Sequence, residues 1–200
     1  MKTITIKFIT AIAAMLLVQS VNAQFGWVET SASGTKSSFR CFKNPSDNKA
    51  IYVNQKYNQE EILKEYPISA FADPSFLGYK TDLHDSFLKA IYASIEKDKI
   101  KELARKNESF ELGFDLDQDG NILRIIFTLD TATLITANEL YNLEENIRKL
   151  FVFKPIRKAS VKLSGGFGIG TNFKEILIGK IPYIRKAEER QRETERLFGN

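Results

Sequence analysis

The stretch Phe110-Glu111-Leu112-Gly113-Phe114-Asp115-Leu116 restricts this chain more than any other, because a large apolar residue falls on every second position. Side chains alternate between the two faces of a β-strand, so this spacing predicts a strand with one buried and one wet face. Asp119-Gly120 follows as a turn in which glycine accepts positive φ, and Ile122 to Leu129 returns as a second strand, apolar on both faces and so expected at the centre of a sheet. Thr136 and Glu139 then have the spacing of a capping box. Leu140, Leu143, Ile147, Leu150 and Phe151 supply the stripe of a helix that Pro155 ends.

The amino terminus carries a different message. Lys2 and Lys7 precede an apolar run from Phe8 to Val18, and Val21-Asn22-Ala23 offers the small residues a signal peptidase reads. Residues 1–23 are therefore expected to be an export signal, since the run is shorter than the roughly 18 residues a membrane helix requires. No membrane anchor is expected after cleavage, and the location expected is periplasmic or secreted. The formal charge of +4 includes Lys2 and Lys7, which leaves +2 for the mature chain. Without a run of like charges, that balance gives no footprint for nucleic acid or an anionic membrane. Cys41 is the single cysteine, so no internal disulfide can form, and it reads as a buried strand residue.

Residues 24–80 read as an irregular arm rich in Ser, Gly, Thr and Asn. It holds one strand near Ser38 to Lys43, a second over Ala50 to Tyr57, and a brief helix that Asn58 and Glu61 cap and Pro67 ends. Asp73-Pro74-Ser75 is turn chemistry. Thr81 and Asp82 can cap a long helix with Leu83, Phe87, Ile91 and Ile95 on one face, and the charged run from Lys97 to Asn107 keeps Ile100, Leu103 and Ala104 as apolar anchors. Beyond Pro155, Ala159, Val161 and Leu163 alternate as a strand, Gly165 to Gly170 forms a flexible loop, and Phe173 to Ile184 gives a last long strand. Residues 186–200 are a charged tail, either a solvated helix or disordered.

The order helix, strand, Asp-Gly turn, strand, helix, aromatic-Lys-Pro, strand resembles the carboxy-terminal domain of the TonB family over about residues 84–165. Leu112, Phe114, Asp119, Gly120, Ile122, Ile125, Phe151 or Phe153, and Pro155 carry the likeness. The resemblance implies a core over 81–185 with an antiparallel sheet and two main helices packed chiefly on one face. It also implies recognition by strand addition, in which an outer strand pairs with an extended peptide. Ala159, Val161, Leu163, Phe173, Ile176 and Ile178 stand where the family's partner-facing strands would lie. No anchor like the family's is expected to remain after cleavage, and five prolines supply no long rigid spacer, so energy coupling in the manner of TonB is not expected.

Other constellations have plainer readings. Asp115, Asp117, Asp119 and Gly120 open like a calcium loop, but the position for a bidentate glutamate is Ile126 and strands flank the turn, so a hairpin turn is the expectation. Gly166, Gly168 and Gly170 lack the spacing and following residues of a phosphate cradle. His84 is the sole histidine, which rules out a histidine cluster for zinc, and nothing around Cys41 resembles a nucleophile turn. No catalytic, cofactor-binding or metal site is expected. The sequence therefore reads as an exported, non-enzymatic α+β module that binds a protein or envelope component. A hydrolase acting on peptidoglycan or polysaccharide, and a structural subunit of an exported assembly, are the alternatives.

Overall fold

A computed structural model describes residues 28–44, 46, 48–57, 77–79, 82–117, 119–155 and 164–198. The expected export signal, the brief helix over 58–67, the Asp73-Pro74-Ser75 turn, and Ala159, Val161 and Leu163 lie outside the described residues. Among those described, no helix is long and apolar enough to cross a membrane.

The alternating run forms β5, Ser109–Asp117, and its partner is β6, Ile122–Asp130. They pair antiparallel with Phe110 opposite Leu129, Leu112 opposite Phe127 and Phe114 opposite Ile125, and the register shifts between Asp115 and Leu116. Gly120 has φ +86°, and a Cβ there would lie 2.9 Å from the backbone carbonyl of Phe153. Glycine is thus required twice over, by conformation and by close approach. β6 is central, yet its two faces differ. Ile125, Phe127 and Leu129 are buried beneath the helices, whereas Ile126 and Thr128 are only half-buried on the opposite face.

The hairpin is the middle of a six-stranded antiparallel sheet. β3, Lys49–Asn54, pairs with β6; β2, Ser38–Asn44, pairs with β3; and β1, Val28–Ser33, pairs with β2. On the other side β8, Ser164–Asn172, pairs with β5, so the spatial order is β1-β2-β3-β6-β5-β8. The strands expected inside an irregular arm are therefore integral to the main sheet. A second, two-stranded sheet joins β4, Leu77–Tyr79, to β7, Phe153–Pro155.

Helix α1, Leu83–Ser94, starts where the Asp82 carboxylate accepts the Asp85 amide at 2.9 Å, and Ile95 leaves the helix in extended conformation. α2, Lys97–Arg105, buries Ile100, Leu103 and Ala104, the three anchors expected of it. The capping box of α3, Ala137–Leu150, is present, with Thr136 and Glu139 bonding reciprocally. This helix ends before Phe151, four residues short of Pro155, because Phe151 and Phe153 turn inward onto Phe114 at ring distances of 5.6 and 5.5 Å. Phe110 packs edge-on between Phe87 and Phe173, at 5.9 and 5.7 Å. Burying each such ring contributes about 1.5–3 kcal/mol.

The carboxy-terminal third departs from expectation. The glycine-rich segment expected as a loop is strand β8, held along its length by β5. The strand expected over Phe173 to Ile184 is instead α4, Phe173–Ile178, followed by α5, Pro182–Phe198. Asn172 caps α4 by accepting the Glu175 amide at 3.0 Å, and Gly179 closes it at φ +66°. Phe173 and Ile176, three apart and both buried, fit a helical face and would fall on opposite faces of a strand. The charged tail is the body of α5, which begins on Pro182, a residue suited to a first helical position.

Candidate functional site

Of the six residues expected to face a partner, Ala159, Val161 and Leu163 lie outside the described residues. Phe173 and Ile176 are fully buried in α4, and Ile178 is 65% exposed. Phe173, Ile176 and Ile178 lie on a helix and so form no binding strand. The outer strand on that side is β8 itself, which among the described residues pairs only with β5. Ile169 points to the helix face opposite Leu112, so Gly168 and Gly170 occupy the open face, beside Gly113 and Glu111. A Cβ at Gly170 would meet nothing within 4 Å. The other outer strand, β1, carries a charge pair, with Arg40 of β2 donating to Glu29 at 2.8 Å.

A groove of about 310 Å³ lies at the far end of the sheet, walled by Lys36, Gln55, Lys56, Tyr57, Tyr141 and Glu145. Three elements meet here: the β1–β2 turn, the residues leaving β3, and the exposed side of α3. The turn is pinned to α3 by Asn138, whose Oδ1 accepts the Thr35 amide at 2.8 Å. Gly34 lies so near Asn138 that a Cβ would collide with it.

Beneath the groove runs a buried polar frame. Asn54, 4% exposed, accepts the Ser37 hydroxyl and the Lys56 amide on Oδ1, both at 3.0 Å, and donates Nδ2 to Glu144 Oε2 at 2.8 Å. Glu144, 1% exposed, takes Arg148 on its other oxygen through Nη2 at 3.0 Å and Nε at 3.3 Å. Arg148 also donates Nη1 to the carbonyl of Ile122 at 2.7 Å and lays its guanidinium carbon 4.2 Å from the Tyr57 ring centre. Burial pushes the Tyr57 hydroxyl above the usual phenol range, with Arg148 opposing the shift. Lys36 lies over the Tyr141 ring at 5.8 Å.

The sequence reading misses this frame because its members come from distant segments. One signal was present: Glu144 interrupts the apolar stripe of α3 between Leu143 and Ile147, and a carboxylate on a buried stripe needs a partner.

The remaining chemistry is dispersed. Asp117 spends its carboxylate on the hairpin turn, accepting the amides of Asp119 and Asn121 and the Asn121 side chain at 2.8–2.9 Å, and Asp115 pairs with Arg124. Cys41 is buried in β2 opposite Tyr52, whose hydroxyl is pushed far up, first by burial and then by Cys41. His84 sits on α1, its Nε2 at 3.1 Å from the carbonyl of Gly179. It shares the exposed start of that helix with Asp82 and Asp85, all three offering ligand-type atoms within 4.8 Å of one another. Glu108 is 2% exposed, and its Oε1 has no hydrogen-bond partner. Burial raises its carboxyl above the ordinary range, the Thr133 hydroxyl opposes this, and Asp130 adds to it.

Sheet, helices and groove define a mixed α+β protein built on six antiparallel strands. That fold is similar to a DUF5043 family protein from Bacteroides uniformis known from its crystal structure, with a TM-score of 0.55 and 12% sequence identity over 74% of this chain and 87% of the other. No protein-family model and no curated protein matches the sequence. The likeness concerns the fold alone.

Proposed function

We propose that this chain is an exported, non-enzymatic binding module of the cell envelope that holds a protein partner by adding an extended segment to β8. The observation that carries this reading is the makeup of that strand. It is nine residues long, lies at the margin of the sheet, contains neither proline nor a charged residue, and presents glycine at 168 and 170 on its open face. Outer strands in soluble proteins are ordinarily guarded by charges, prolines or bulges, because their free backbone groups invite pairing. β1 has such a guard in Glu29, whereas β8 carries no charge or proline of its own and, among the described residues, has α4 and α5 beside it in addition to β5. A strand with glycine at four of its nine positions lets a second backbone approach along it, with main-chain hydrogen bonds supplying affinity. The resemblance to the TonB carboxy-terminal domain supports the same mode of recognition, and Lys2, Lys7 and the apolar run after them support export.

The test places a photo-reactive amino acid at Gly170 in one version of the mature chain and at Ser31 of β1 in another. Each is irradiated in envelope extract. A partner joined at position 170, and joined less well when Gly168→Lys is added to that version, is the expected result. Joining at position 31 alone, or at neither position, overturns the reading.

A further inference from the structure

We infer that the groove between the β1–β2 turn and α3 binds an acidic sugar residue, a ring with one carboxylate such as a hexuronic acid, and is a second binding site separate from β8. Its volume of about 310 Å³ stands at the lower end of the range for small-molecule sites, the scale of one or two sugar rings. The lining is mixed in the way a sugar is mixed. Tyr57 and Tyr141 contribute phenol rings, with Lys36 set over the Tyr141 ring and Arg148 and Lys56 over that of Tyr57, and Ser37, Ser38 and Gln55 contribute hydroxyl and amide groups.

Charge selects the kind of sugar. Lys36 and Lys56 bring two positive charges to the walls and Glu145 one negative, so the lining favours a single anion. Glu145 would repel a di- or triphosphate, yet it can accept hydrogen bonds from ring hydroxyls. Arg148, the side chain best shaped to grip a phosphate, is already committed to Glu144 and to the carbonyl of Ile122. These facts favour a sugar acid over a nucleotide.

The frame below the groove is a second, independent indication. A buried ion pair adds little stability that a well-packed apolar pair would not, so its use needs another reason. Here Asn54 holds Ser37 of one wall and the Lys56 backbone of another, while Glu144 and Arg148 fix the Tyr57 ring. The polar network sets the spacing of the walls in advance of any ligand, which is what a binding site requires.

The test titrates the full mature chain with galacturonic acid dimers and trimers, with neutral maltose oligomers of the same lengths, and with ADP, followed by calorimetry and amide chemical shifts. Saturable binding of the acidic sugars is expected, with shifts at Gln55, Lys56 and Tyr141 and neutral sugars about tenfold weaker. The double variant Lys36→Gln, Lys56→Gln should lose about tenfold in affinity while its thermal midpoint stays put, since both lysines are exposed. Tyr141 packs partly on the core, so Tyr141→Ala is read only alongside its circular dichroism spectrum. Absence of saturable binding by the acidic sugars, binding that the lysine pair does not alter, or tighter binding of ADP overturns the inference.

Discussion

Asn54 donates its side-chain amide to Glu144 across 2.8 Å, tying the last residue of β3 to the middle of α3, a separation of 90 residues in sequence. Both are buried, and Arg148 completes the carboxylate. Asn54→Leu removes one partner and leaves a buried carboxylate oxygen without its donor, so the variant should lose about 1–3 kcal/mol of stability. Urea denaturation checks this. A midpoint equal to that of the parent chain would mean that water replaces the amide without penalty.

Glu108 gives the chain a pH dependence of definite sign. Its folded pKa is raised, chiefly by burial, so the folded state holds the proton more tightly than the unfolded one. The contribution to stability is complete below the ordinary glutamate range and is lost as pH rises through the folded value. Glu108→Gln should therefore be more stable than the parent at neutral pH, and the two unfolding free energies should converge as the solution is acidified. Chemical denaturation at several pH values measures the gap, and a gap that widens toward acid contradicts the assignment.

Two glycines should respond in opposite ways to the same change. Gly120→Ala forces a side chain into positive φ and against the Phe153 backbone, and about 1–3 kcal/mol of destabilisation is expected from the conformation alone. Gly170→Ala meets open space and narrows the unfolded ensemble, so a gain of about 0.4–1 kcal/mol is expected. Thermal unfolding of the two variants side by side separates them.

Ile176 and Ile178 likewise separate core from surface. Ile176→Ala empties a fully buried position and should cost about 2–5 kcal/mol. Ile178→Ser, at a largely exposed position, should change stability by about 0.5 kcal/mol or less. A large loss at Ile178 would show it packed against something in solution.

The central hairpin was legible because Phe110, Leu112, Phe114 and Leu116 obey a strict period of two, and Asp119-Gly120 admits few conformations besides a turn. The start of α3 was legible because Thr136 and Glu139 satisfy each other locally. β1 escaped notice because Val28–Ser33 is mostly exposed and carries no periodic apolar signal. β8 escaped because glycine has weak strand preference, and here the pairing with β5 overrides it. Ile176 and Ile178 alternate like a strand, but Phe173 and Ile176 are three apart, and with the Asn172 cap that spacing belongs to a helix that leaves Ile178 exposed. For the groove, neither Asn54 nor Tyr57 carries a local mark. Only Glu144 on the buried stripe of α3 hinted that a polar partner had to arrive from elsewhere.

The strand order has a temporal side. β1, β2 and β3 leave the ribosome well before β6, the strand against which β3 must close, is made. A meander of these three strands alone would leave Phe39, Cys41 and Tyr52 bared on one surface. Pairings between remote segments form slowly and leave such surfaces prone to aggregation in the interval. The exposure ends only when residues 122–130 supply the missing neighbour.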